Sequence, residues 1–174
     1  MFNPQSAIRN SPSKGFTLIE IIITIVIIGI IASLAAGIIV QVVKVYATED
    51  NRSDIQYQAK LAVERMAREL RTMRSATAAD ITTMNGTTLL YNDINGTQMG
   101  FRLNAGKVER TQDNGATWQT LATNITGATI FTYLDNADAV TASQTALWFV
   151  QVQVAATRGT ESVTMRATVH PMNF

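Results

Sequence analysis

Few residues in this 174-residue chain could do covalent chemistry. Cysteine is absent, which removes thiolate catalysis, disulfide stapling and thiolate metal sites together. The one histidine, His170, stands beside Pro171 near the end of the chain and reads as a surface residue, because histidine catalysis needs an orienting partner. No phosphate loop, nucleophile elbow or zinc spacing occurs. Asp135-Asn136-Ala137-Asp138 and Asp113-Asn114-Gly115 cluster oxygens of the kind calcium takes. Neither has the full loop spacing, and turns use the same residues. Asn85-Gly86-Thr87, Asn95-Gly96-Thr97 and Asn124-Ile125-Thr126 match the glycosylation pattern, which is too short to define a site. These residues predict no catalytic group, no metal and no cofactor, and so no enzyme.

One acid is conspicuous by its place. The stretch SKGFTLIEIIITIVIIGIIASLAA, residues 13–36, sets Glu20 at the entrance of a long apolar run. A carboxylate within a membrane helix costs about 2.5–3.5 kcal/mol on insertion scales and normally has a partner. Lys14 is one candidate, but it precedes Gly15 and suits the headgroup layer. Cleavage after Gly15 would supply a better cation, a free α-amino group on Phe16. Phe16 and Glu20 are four positions apart and share one helical face. Glu20 would then neutralise its own amine or that of a neighbouring chain offset along the axis. In the second case the pair sets an assembly register, a role attested for buried polar groups elsewhere.

The element that must hold Glu20 is a membrane-length helix. Residues 21–40 carry no charge, and about 20 apolar residues suffice to cross a hydrocarbon layer. Arg9 and Lys14 precede the run with no acid among residues 1–15, so the positive-inside rule predicts a cytoplasmic N-terminus and a translocated remainder. A secretory signal peptide, a plain transmembrane anchor and a processed assembly helix all share this hydropathy. The signal-peptide reading has small residues at Ala32-Ser33-Leu34-Ala35-Ala36 to imitate a cleavage site, but its apolar region is normally about 7–15 residues. Neither of the first two explains Glu20. Gly29, Ser33 and Gly37 recur every fourth residue, a spacing that lets helices approach closely and is also common in membrane helices generally.

KGFTLIE, residues 14–20, followed by about 20 apolar residues, resembles the signal of type IV prepilins and type II secretion pseudopilins. The resemblance implies a prepilin peptidase that cuts after Gly15 and methylates Phe16. It also implies that Glu20 is the assembly glutamate paired with the Phe16 amine. It further implies other pilin or pseudopilin subunits as partners, and an inner-membrane stage before assembly. The N-terminus is then cytoplasmic and the head periplasmic, ahead of incorporation into a pilus or pseudopilus. WQTLATNIT, residues 118–126, and the terminal VHPMNF resemble minor pilins of the mannose-sensitive haemagglutinin type and tip pseudopilins. Met172 stands where that subgroup would have arginine, and the absence of cysteine departs from many major pilins.

Beyond the run, Ile55, Ala59, Ala62, Met66, Leu70 and Met73 are spaced by three or four and predict an apolar stripe for packing on a sheet. Lys60 with Glu64, Glu64 with Arg68, and Arg65 with Glu69 are opposite charges four apart. Residues 48–54, TEDNRSD, are poor helix formers expected to loosen the helix, although no proline breaks it. From about Thr87 the period changes to two. Strands are expected at 89–91, 99–103, 108–111 and 130–134, and a last hairpin turns near Arg158-Gly159. In that hairpin Trp148, Val150, Val152 and Val154 face one way, as do Val163, Met165, Ala167 and Val169 across the turn.

The predicted class is α+β: a long N-terminal helix whose second half packs on an antiparallel β-sheet head, the pilin-like fold the resemblance implies. The expected segments are a leader at 1–15, a transmembrane and assembly helix at 16–40, its amphipathic continuation at 41–75, and a β-rich head at 76–174. Net charge is +1 with no basic stripe, so no nucleic-acid partner is predicted. The expected function is that of a minor pilin or pseudopilin. The alternative is a single-pass, membrane-anchored extracytoplasmic binding or sensing domain.

Overall fold

The computed structural model describes residues 15–174, so the leader expected before Gly15, Arg9 and Lys14 included, lies outside the described residues. The order of elements is α1 (Leu18–Leu70), β1 (Ile81–Met84), β2 (Thr88–Asn92), β3 (Gln98–Asn104), β4 (Lys107–Thr111), β5 (Gln119–Ala122), β6 (Phe131–Leu134), a 3-10 turn (Gln144–Ala146), β7 (Phe149–Arg158) and β8 (Glu161–Val169). The predicted α+β class, one long helix followed by antiparallel strands, is the observed one. The chain forms two units, one up to Val45 and one over Tyr46–Phe174.

In the first unit every described residue is exposed. The helical part contains a window of mean hydropathy 2.9, long and apolar enough to cross a membrane. An exposed apolar surface of this extent marks an interaction with lipid or protein rather than with water. Thr24, a polar residue inside the run, turns its hydroxyl back to donate to the carbonyls of Glu20 (2.9 Å) and Ile21 (2.8 Å).

In the second unit, Ile55, Ala59, Ala62, Val63, Met66 and Leu70 form the buried face of α1, with Met73 just beyond it. The predicted stripe is therefore the core face. Of the three charge pairs expected along the helix, Lys60–Glu64 (3.9 Å) and Arg65–Glu69 (3.0 Å) form and Glu64–Arg68 does not. The loosening expected at 48–54 does not occur, since α1 is continuous there. Polar residues cost only tenths of a kcal/mol each in a helix, and no glycine or proline adds more. Asp54 gains two partners besides, Gln58 Nε2 at 3.1 Å and Arg158 at 2.5 Å. The helix stops at Leu70, where the Thr72 amide (3.0 Å) and hydroxyl (2.7 Å) take the Glu69 carbonyl and the Met73 amide takes that of Leu70.

The expected single sheet is two. Strands β1 to β5 form one antiparallel meander in chain order, and β6 to β8 form another. Sequence periodicity located β2, β3, β4, β6, β7 and β8 but not β1 or β5. The two sheets meet through the β5–β6 connection. Ile125 bridges Ala156, and the amides of Ile130 and Phe131 both donate to the Gly86 carbonyl at 2.8 and 3.0 Å. One apolar cluster is shared by α1 and both sheets. In β7, Val150, Val152, Val154 and Ala156 are buried; in β8, Val163, Met165 and Ala167 are only half-buried, because β8 is an edge strand. Trp148 lies just outside β7 and is half exposed.

The hairpin turns follow the chemistry of their residues. Asn104 pairs with Lys107 across a two-residue loop in which Ala105 (φ 47°) and Gly106 (φ 73°) are both left-handed, the geometry of a tight hairpin. Gly100 in β3 permits a close approach: a Cβ there would lie 2.6 Å from the Leu89 carbonyl oxygen.

One ion pair ties helix to sheet. Arg110 of β4, 5% exposed, donates to Glu69 of α1 at 2.7 Å, and the Glu69 side chain is 14% exposed. The other Glu69 oxygen accepts from Arg65. The Tyr91 hydroxyl is buried without a hydrogen-bond partner, and burial, reinforced by the Glu69 charge, pushes its pKa well up.

Candidate functional site

The processing segment begins in non-helical backbone. Gly15, Phe16 and Thr17 precede α1, and all three are exposed. Among the described residues, a Cβ built on Gly15 would meet nothing within 4 Å. Phe16, 80% exposed, packs its ring against no core.

Thr17 caps the helix. Its carbonyl accepts from the Glu20 and Ile21 amides at 3.1 and 3.3 Å. Its hydroxyl oxygen takes the Glu20 amide at 3.3 Å, while the Glu20 carboxylate takes the Thr17 amide at 3.3 Å and its hydroxyl at 3.4 Å. This reciprocal Thr-x-x-Glu arrangement is a capping box, and the acid also faces the positive end of the helix dipole. The T-L-I-E spelling of residues 17–20 encodes this cap, a partner for Glu20 that requires no cation. Glu20 has no ion-pair partner among the described residues. In the uncut chain the Phe16 nitrogen is an amide, so no ammonium is there to meet it.

Gly29, Ser33 and Gly37 lie on consecutive turns of α1, all exposed, and a Cβ at either glycine would meet nothing within 4 Å. No other described residue occupies the space beside either glycine.

The other chemically capable residues are used in turns and packing. His170 is exposed, its Nδ1 2.8 Å from the Trp148 carbonyl and its ring 4.9 and 5.3 Å from those of Trp148 and Phe149. Asp135 accepts the amides of Ala137 and Ala139, both at 2.9 Å. Asp113 accepts the Thr111 hydroxyl (2.6 Å), the Thr117 hydroxyl (2.6 Å) and the Thr117 amide (2.8 Å). Those bonds, the Thr111 hydroxyl foremost, lower its pKa to about 2. The same turn lets Trp118 donate to the Gly115 carbonyl, and its ring carries the Arg102 guanidinium at 4.1 Å. Asn85 accepts the Thr87 and Thr88 amides at 3.0 and 2.8 Å, so it too organises a turn. No cluster of three metal-binding side chains occurs among the described residues.

A family model described as the prokaryotic N-terminal methylation motif matches residues 10–36. No curated protein and no solved structure matches the chain. The matched span holds the Gly15–Phe16 junction, the Thr17–Glu20 cap and most of the apolar run. Residues 10–36 thus match the N-terminal methylation motif, the signal of type IV pilins and pseudopilins.

Proposed function

We propose that the chain is a minor pilin or pseudopilin, a structural subunit of a type IV pilus or type II secretion pseudopilus. The motif over residues 10–36, continuing into an exposed membrane-length helix, carries this reading. The leader is 1–15, the membrane and assembly segment 16–40 (helical from Leu18), its amphipathic continuation 41–75 (helical to Leu70), and the head 76–174. Before assembly the chain spans the inner membrane once, with its N-terminus cytoplasmic and its head periplasmic. Prepilin peptidase cuts after Gly15 and methylates Phe16.

Cleavage changes what Glu20 can bind. It converts the Phe16 nitrogen into an ammonium four residues before Glu20, just ahead of the helix, and in a low-dielectric layer a charged partner outcompetes an amide. The pair forms within one chain or between neighbours, and in the second case it sets their register. Gly29, Ser33 and Gly37 supply the face on which adjacent helices close.

Two variants separate processing from assembly. Gly15→Val should leave the leader attached, read as the intact mass of the membrane-extracted protein. Glu20→Ala should be cut normally yet fail to enter sheared filaments. A native polypeptide that keeps its leader supports a membrane-anchored binding or sensing domain instead. Wild-type incorporation of Glu20→Ala removes the charge-pair argument.

A further inference from the structure

Each of the two sheets has two edges, and three of these four edges are blunted. Strands β1, β5 and β6 have four residues each. β1 and β5 also break register against their neighbours. Beyond β6 the chain folds back over the edge: Thr141 donates its amide to the Tyr133 carbonyl at 3.0 Å, Asp135 donates to that of Ala139 at 2.9 Å, and Leu134 bridges Val140. β8 has none of these devices. It has nine residues, pairs with β7 without a break from Glu161 to Val169, and contains no proline. An unpaired row of backbone groups templates another strand, which is why edges are normally blunted.

The register tells which groups of β8 are free. Gln153 and Thr157 donate their amides to the carbonyls of Ile130 and Asn124, both at 2.9 Å, so the odd-numbered residues of β7 direct their backbone groups away from β8. The even-numbered ones face β8, where Val152 stands opposite Ala167 and Val154 opposite Met165. Ser162, Thr164, Arg166 and Thr168 therefore turn their N–H and C=O groups outward, and these groups have no partner among the described residues. The side chains of those four are exposed, whereas Val163, Met165 and Ala167 on the other face are half-buried at the rim of the core.

We propose that the free edge of β8 is the docking site for an extended strand of a different protein, which joins the sheet antiparallel. A row of N–H and C=O groups repeating about every 6.8 Å is the complement of another extended backbone. Charge specifies the incoming strand further. Arg166 donates to the Gln153 side-chain oxygen at 3.0 Å, and neither Arg166 nor Glu161 has an ion-pair partner among the described residues. An antiparallel strand with an acid opposite Arg166 reaches Glu161 five positions later, where it needs a base. Apolar residues at its alternate positions cover Val163, Met165 and Ala167. A second copy of β8 does not fit. Outward residues pair with outward residues, all even-numbered, so Arg166 of one copy never lies opposite Glu161 of another. Such a pair also needs a twofold axis perpendicular to the sheet, which reverses the part of α1 packed on it, and two chains inserted alike in one membrane run the same way. The proposal stands whether or not the chain enters a filament.

The test uses the full chain in detergent and the end-capped octapeptide TVEVTVTK, whose residues lie opposite Thr168 to Glu161. Amide hydrogen exchange followed by NMR reads the docking. At a free peptide concentration about ten times its Kd, exchange of the Thr164, Arg166 and Thr168 amides should slow about tenfold. The Val163, Met165 and Ala167 amides, already bonded to β7, should change little, and that alternation distinguishes strand addition from any other contact. The charge-swapped peptide TVKVTVTE should bind about tenfold more weakly, and Arg166→Glu combined with Glu161→Lys should reverse the preference. Thr164→Pro removes an outward N–H, a change an edge strand tolerates, and should abolish the slowing. No slowing in the wild-type chain, slowing without alternation, or equal affinity for the two peptides overturns the proposal. Slowing that grows with protein concentration in the absence of peptide also overturns it, since a second copy would then be covering the edge.

Discussion

The Glu69–Arg110 pair is where the helix and the larger sheet are joined by charge, and removing one partner has a calculable cost. In Glu69→Ala the Arg110 guanidinium, 5% exposed, stays in the interior without its acceptor at 2.7 Å. Breaking a buried pair from one side costs about 3–5 kcal/mol, because the remaining charge is desolvated and uncompensated. The second contact of Glu69, with the 45%-exposed Arg65, adds at most about 0.5 kcal/mol after solvent screening. A loss near 3 kcal/mol is a large share of the roughly 5–15 kcal/mol that holds a domain folded. With a urea slope of about 2 kcal/mol per molar, the unfolding midpoint should fall by about 1.5 M. Urea titration of the full chain in detergent, followed by the emission of Trp118 and Trp148, both in the second unit, measures it. Glu69→Leu combined with Arg110→Met should recover most of the loss, since an apolar replacement leaves no stranded charge. A Glu69→Ala midpoint within about 0.5 M of wild type, a change of about 1 kcal/mol, refutes the reasoning.

Two further outcomes are expected. Asp113 titrates at about 2 in the folded chain against an ordinary value of 3.8, so its contribution to stability is complete above about pH 4 and is lost as the pH falls towards 2 and below. Carboxyl chemical shifts should place its midpoint near 2, Asp113→Asn should remove this part of the acid dependence, and a midpoint near 4 would contradict the turn geometry. Ala105→Gly should raise stability by roughly 1 kcal/mol, because Ala105 holds φ at 47° where a Cβ is penalised; a lower melting temperature would count against it.

Local patterns carried much of this structure into the sequence. The stripe from Ile55 to Met73 is legible because one buried face needs apolar residues every three or four positions, and all six expected residues are buried. Turns such as Asn104-Ala105-Gly106 are legible because few residues accept positive φ. Strand β5 was missed because Gln119 and Thr120 are exposed and only Ala122 is buried, which leaves no alternation to read. In β1 only Ile81 is buried, with the same result. The division into two sheets depends on contacts such as Ile125 with Ala156, and no local pattern encodes a pairing across that distance. The oxygens of Asp113-Asn114-Gly115 resemble calcium ligands in composition but lack the loop spacing, and in the structure Asp113 gathers hydroxyls and amides of its own turn. At the candidate site, the apolar run and the Gly15-Phe16 junction were plain. The cap joining Thr17 to Glu20 was hidden by attention to charge, although both residues were in view.

The meander order of both sheets has a consequence for how the second unit folds. Within each sheet every strand bonds to its sequence neighbour, so the pairings close through loops that are short except between β6 and β7. The contacts that bring α1 to the strands span far more chain: Gln58 with Thr123, Glu69 with Arg110, Asp54 with Arg158. The strand pairings are thus local in the chain, and the contacts that dock the helix are distant in it. Until both sheets have docked, part of the Ile55–Leu70 face stands uncovered, and a chain halted at that stage is the species a chaperone or protease would meet.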